Sequence, residues 1–115
     1  MRKIERLMNM AITHKTDWSS SNTTVSFNSN TNCSQVRLHG HLIATFDHNL
    51  KALKIDSCGY TTNTTKSRLN AILDEVKYGA KVFQKQWNWF VSYRDETASF
   101  WDGMILIDSD SLQIA

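Results

Sequence analysis

Cys58-Gly59-Tyr60-Thr61-Thr62-Asn63-Thr64-Thr65-Lys66-Ser67-Arg68-Leu69-Asn70-Ala71-Ile72-Leu73-Asp74-Glu75-Val76 decides how the rest of the chain is read. A glycine turn and a hydroxyl-rich run come first. Leu69, Ile72, Leu73 and Val76 then fall at the i, i+3, i+4, i+7 spacing of one apolar helix face. Thr64 or Thr65 is the expected N-cap, a side-chain oxygen accepting from amides that the first turn cannot satisfy. Those amides and the positive end of the helix dipole suit an anion, and Lys66 and Arg68 add full charges. Most capped helix starts bind nothing, so the extended hydroxyl run and the basic residues carry the ligand reading. Gly79 is expected just past the helix end, with Lys77 in the last turn. The four glycines are scattered and form no phosphate-cradling loop.

Around this helix the pattern alternates as strands do. Gln35 to Asp47 puts Val36, Leu38, Leu42, Ala44 and Phe46 on one face of a strand pair, or of a strand broken near Gly40. Arg37, His39 and His41 then project from the other, as a basic wall or a solvated sheet face. Ala80 to Tyr93 is expected as one long strand with Phe83, Trp87 and Trp89 in a row, mostly core, with a rim aromatic free to stack on a base. Thr97 to Asp108 gives a closing strand kinked at Asp102-Gly103. Shorter strands are expected at Thr23 to Asn28 and Leu50 to Ser57, and residues 109 to 115 form a weakly docked tail. Residues 3 to 12 form an amphipathic helix with Ile4, Leu7, Met8, Ala11 and Ile12 on its apolar face, and Lys3, Glu5, Arg6 and Asn9 opposite. That face covers either the chain's own sheet or a second copy. The expected fold is therefore α+β: one domain, residues 1–115, with a small antiparallel sheet, an N-terminal amphipathic helix and one central helix packed on the sheet. Edge strands in so small a sheet favour a homo-oligomer.

With 115 residues, 41% of them hydrophobic and 21% charged, the chain has the size and composition of one globular domain. A net charge of +2 is too small for a broad nucleic-acid footprint. No stretch reaches the ~20 apolar residues of a membrane span, and the start lacks the apolar core of a secretory signal, so a cytoplasmic location is expected. Asn-X-Ser/Thr triplets at Asn22, Asn32 and Asn63 then carry no weight. Cys33 and Cys58 are too few for a disulfide framework. Proline is absent, where about five or six would be usual, so Gly, Asn, Asp and Ser must make the turns.

Catalysis finds little support. Asp102, Asp108 and Asp110 alternate with other residues as at a solvated strand end. Cys58, near a helix start that would lower its thiol pKa, has no local partner signature. His39 and His41 lack a third metal ligand at a recognised spacing. The expectation is no enzyme, no cofactor and no metal.

Four segments taken together carry a resemblance: Ala11-Ile12 leading to Lys15-Thr16-Asp17-Trp18 and Asn22-Thr23-Thr24-Val25; Val36-Arg37-Leu38-His39-Gly40-His41-Leu42-Ile43-Ala44; Thr64-Thr65-Lys66-Ser67-Arg68-Leu69-Asn70; and Gln84-Lys85 with Trp87 to Val91. Over residues 11 to 107 the chain resembles small tailed-phage proteins, of the group that counters Thoeris immunity by sequestering cyclic ADP-ribose-type signals. The resemblance implies an oligomeric sponge that binds a cyclic nucleotide immune signal without degrading it, with pockets at subunit interfaces. It also leaves room for a second pocket type for cyclic oligonucleotides. On physical grounds Arg37, Lys66 and Arg68 would supply phosphate charge, with His39 beside Arg37. Thr62, Thr65 and Asn70 would bond phosphate or ribose, and Phe83, Trp87 or Trp89 would stack on a base. Thr24 stands where a basic residue would be expected and weakens one anion contact. The alternative is a phage module that binds and inhibits a host protein through the aromatic strand and N-terminal helix. A small RNA-binding domain fits the low charge less well.

Overall fold

The apolar spacing near the N-terminus folds as α1, Lys3–His14, which Lys15 closes in the left-handed region with its amide on the Ala11 and Ile12 carbonyls. The computed structural model describes residues 1–77 and 79–115. Met8, Ala11 and Ile12 enter the chain's own core, and α1 packs on α2 (Asn63–Val76), β1 (Trp18–Ser20) and β2 (Thr23–Asn28). The expected wet side of α1 is only partly wet, since Glu5 and Asn9 are also buried.

β1, β2, β3 (Cys33–Leu38), β4 (His41–Asp47) and β5 (Ala52–Ile55) run as an antiparallel meander, extended by β9 (Met104–Leu106) beside β5. β6 (Ala80–Lys85), β7 (Asn88–Tyr93) and β8 (Glu96–Ser99) form a second antiparallel sheet. The architecture is the α+β fold expected, with two sheets where one was anticipated. Three local features account for the differences. First, the Ala80 to Tyr93 run folds back at Gln86-Trp87, whose φ values of 51° and 70° make a tight hairpin turn. Pairing Phe83 with Phe90 and Gln84 with Trp89 couples odd positions to even ones. The row of Phe83, Trp87 and Trp89 therefore does not exist. Second, the Thr97 to Asp108 strand is divided: its bend at Asp102-Gly103 is where the chain passes from one sheet to the other. Third, the β3–β4 ladder skips a residue, with Val36 opposite Ala44 and Arg37 opposite Leu42. Ile43 turns inward beside Ala44, and Leu42 is left half-buried.

α2 begins earlier than expected. Thr62 is its N-cap, and Thr62 Oγ1 accepts from the Thr65 amide at 3.2 Å. Leu69, Ile72 and Leu73 are fully buried, as their spacing requires. Arg68 lies on the same buried side, Nη1 donating to Glu5 Oε2 at 2.9 Å and Nε to Thr23 Oγ1 at 3.0 Å. Ser67 Oγ donates to the same Glu5 oxygen at 2.6 Å. At the other helix end Lys77 does not merely face the dipole. Its ammonium donates to the carbonyls of Ile107 and Ser109, both at 3.1 Å, above the Tyr93 ring. With Ile114 bridged to Leu106, the tail is tied down more firmly than the sequence suggested.

Removing one member of the Glu5–Arg68 pair leaves the other charge buried, at a cost of about 3–5 kcal/mol. Urea unfolding should show that loss in Arg68→Met and Glu5→Leu separately, and a smaller combined loss in the double variant; additive losses would contradict the pairing.

Burial pushes the His48 imidazole below its ordinary pKa of 6.5, with Lys15 adding to the shift and Asp47 opposing it. His48 thus folds neutral, its Nε2 2.7 Å from Ser34 Oγ. Its contribution is full above pH 6.5 and is lost as pH falls through the lower folded value. The melting temperature should drop between pH 7.5 and 5, and His48→Gln should flatten that slope; an unchanged slope would assign it to other groups.

Candidate functional site

Between β5 and α2 the chain makes a tightly bonded loop. Cys58 and Gly59 both take left-handed φ, 54° and 80°, and the Cys58 amide donates to Asp56 Oδ1 at 2.6 Å. Asp102 Oδ1 accepts from the Ser57 amide at 2.7 Å and from the Ser57 hydroxyl at 2.8 Å. Asp102 is therefore a tether for this loop and not simply a solvated strand end. The loop sets Tyr60 against His41, with ring centroids 4.7 Å apart and planes tilted by 32°. His41 is placed from the opposite side by the β3–β4 turn, His39-Gly40, in which both residues have positive φ.

A cleft of about 320 Å³ lies between these two turns and the start of α2. Its floor is Leu38 and Ile43, and its walls are His39, His41, Tyr60, Thr62, Thr64 and Thr65. The first turn of α2 has no acidic residue, so nothing there offsets the positive dipole end. Thr62 Oγ1 satisfies the Thr65 amide, and the Asn63 and Thr64 amides precede any intrahelical acceptor. No carboxylate lines the cleft. It can accept an anionic group at the helix and a flat or apolar group against His41 and Tyr60.

Of the site residues expected from sequence, His39, Thr62 and Thr65 come together here, and Lys66 follows in the next helical position. The others do not. Arg68 is occupied by Glu5 and Thr23, and Asn70 is occupied by both backbone groups of Val82, at 2.7 and 2.9 Å. Arg37 leans along β3 toward Gln35 and Ser26, at 3.3 and 3.4 Å. Phe83 stacks on Phe90 at 5.6 Å, Trp89 is buried edge-on against Phe100, and Trp87 stands exposed at its hairpin tip. His41, expected only as part of the Arg37-His39 wall, joins the cleft residues as well, whereas Tyr60 went unassigned in sequence; the available signal was one aromatic or imidazole on each of two Gly-containing turns that flank the helix start. A larger hollow, about 580 Å³, lies along α2 beside β6; Asp74 and Lys81 line it together with Glu5, which Arg68 already pairs, so it offers an anion no net positive charge. Among the described residues no three His, Cys, Asp or Glu side chains converge as for a metal, and no helix is long and apolar enough to cross a membrane.

The Kyanoviridae Gp96 protein family matches residues 1–107. The chain belongs to this phage family. The match spans every helix and strand through β9, leaving only the tail that Lys77 grips beyond it. Membership in the Gp96 family bears out the phage side of the sequence resemblance and carries nothing on the Thoeris side. No curated protein and no solved structure matches the chain.

Cys58 overturns one expectation outright. Burial raises its thiol pKa, and Asp56 and Asp102 raise it further, so the helix start does not activate it. In a Cys33→Ser background, Cys58 should be alkylated by iodoacetamide at pH 8 more slowly than glutathione; faster reaction would restore a nucleophilic role.

Proposed function

We propose that this phage protein is a non-catalytic sponge that sequesters a phosphorylated nucleotide signal, of the cyclic ADP-ribose or cyclic oligonucleotide kind, in the host cytoplasm and so blunts anti-phage defence. One observation supports it above the others: the cleft joins an uncompensated helix N-terminus to the His41–Tyr60 ring pair. Phosphate would sit on the Asn63 and Thr64 amides and the Thr64 hydroxyl, while a base or ribose face would rest on the rings. Binding without turnover is part of the proposal, and what surrounds the phosphate position supports it. Thr62 and Thr65 are engaged in the helix cap, and no carboxylate in the cleft orients either histidine as a base. At about 320 Å³ the cleft is at the small end of ligand sites. A cyclic dinucleotide would extend past its rim, so a second copy covering the remainder is part of the proposal.

The alternative of a host-protein inhibitor keeps only its aromatic half. The apolar face of α1 is packed inside the chain, whereas Trp87 is 92% exposed.

Thermal-shift titration with cyclic ADP-ribose isomers, cyclic dinucleotides and cyclic trinucleotides tests the reading. Ligand at a hundred times its dissociation constant should stabilise the fold by about 2.7 kcal/mol and be recovered unchanged on heating. His41→Ala should weaken binding about tenfold, ~1.4 kcal/mol, and Arg37→Ala should leave it unchanged. A cleaved product would make the protein an enzyme, and no shift with any nucleotide would overturn the sponge.

A further inference from the structure

On the other side of the Ser57–Thr61 segment lies a second hollow, of about 280 Å³ and different chemistry. Trp87 and Trp101 stand over it, 92% and 48% exposed, above a floor of Trp89 packed edge-on against Phe100 at 5.3 Å. The placement of Trp87 does little for the fold. Gln86 and Trp87 both take left-handed φ in a turn that favours Asn-Gly, and an indole so exposed gains no burial in return.

The polar rim mixes acceptors and donors: the Asp102 carboxylate and the Asn88 amide oxygen accept, while the Thr61 hydroxyl and the Trp87 and Trp101 indole N–H groups can donate. Asp102 Oδ1 is held by Ser57, which leaves the second carboxylate oxygen for a ligand. Asn88 Nδ2 donates to the Gln86 carbonyl at 3.3 Å, which leaves its Oδ1. No Lys, Arg or His lines the hollow, so a phosphate finds no counter-charge there. The matching ligand is uncharged, with an apolar ring face and groups around its edge that both donate and accept. A hexose has both: its C–H face rests on the electron-rich indole face, and its hydroxyls donate to the carboxylate and amide oxygens. A nucleobase also has a flat face, but its edge presents fixed donors and acceptors, whereas sugar hydroxyls rotate to offer either to this mixed rim.

We propose that Trp87, Trp101, Asn88 and Asp102 form a binding site for a hexose ring of a neutral glycan, separate from the nucleotide cleft. The site requires no change in the fold and no second copy. Trp87 supplies the stacking face, Trp101 limits how the chain of sugars leaves, and Asp102 couples the site to the Ser57 loop.

Tryptophan fluorescence and heteronuclear NMR titrations of the full chain with maltohexaose, cellohexaose, chitohexaose and mannohexaose test this, with adenosine and guanosine as ring controls. At least one hexaose should shift the Trp87 and Trp101 indole N–H signals, saturating at millimolar concentration or below. Trp87→Ala should weaken that binding at least tenfold with an unchanged melting temperature. Asn88→Ala should weaken it less, and His41→Ala should leave it intact. Asp102→Asn is the less secure variant, since it also disturbs the Ser57 tether, so the tryptophan variant decides. No response to any hexaose would overturn the proposal. So would indole shifts produced by the nucleosides alone, or glycan affinity unchanged in Trp87→Ala.

Discussion

The ion pair between Glu5 and Arg68, side chains each 4% exposed, is the constraint on which the rest of the structure depends. One guanidinium reaches α1 through Glu5, β2 through Thr23 and the β1–β2 turn through Asn22, while its own backbone belongs to α2. Two charges withdrawn from water must each be satisfied or the fold loses several kcal/mol, so this set of partners admits one arrangement of the two helices on the larger sheet. Asn70 adds a second bracket by holding Val82 through both its backbone groups, fixing α2 against the smaller sheet. The position of the α2 start, and of the cleft beside it, follows from these two attachments.

The Asp56–Thr62 loop converts that frame into surface chemistry. Asp102, from the crossing between sheets, holds Ser57, and the loop then carries Tyr60 to His41 on one side and Thr61 to the tryptophans on the other. One side is an anion-favouring helix end with stacked rings. The other is an indole surface with an uncharged and acidic polar rim that carries no cation. The segment between them is short and internally bonded, so the two surfaces are set by the fold itself.

Both helices, the strand character of the remainder and the buried face of α2 were legible because apolar periodicity reports burial directly. What escaped was set by turn geometry and pairing. The reversal at Gln86-Trp87 is made by two residues with little intrinsic turn preference, so Ala80 to Tyr93 reads as one strand and its face assignment changes sign beyond the turn. The extra residue at Ile43 breaks the alternation with an apolar run, Leu42-Ile43-Ala44, but the run alone does not say which of the three shifts the register. Arg68 and Asn70 read as ligand groups because polarity near a helix start suggests an anion site. Their partners, Glu5 and Val82, are distant in sequence, so only the tertiary fold shows that these side chains are already satisfied. Thr62, Thr65 and His39 lie together because local capping, begun earlier than the expected Thr64 or Thr65, and a local turn place them.

The measurement that bears most directly on the proposed nucleotide binding is a map of backbone amide shifts while cyclic ADP-ribose or a cyclic dinucleotide is added. The account predicts the largest changes at the Asn63 and Thr64 amides, where phosphate would meet the helix start, with His41 and Tyr60 next. Changes centred instead on Arg37, on the Glu5- and Asp74-lined hollow, or nowhere in the chain would contradict it.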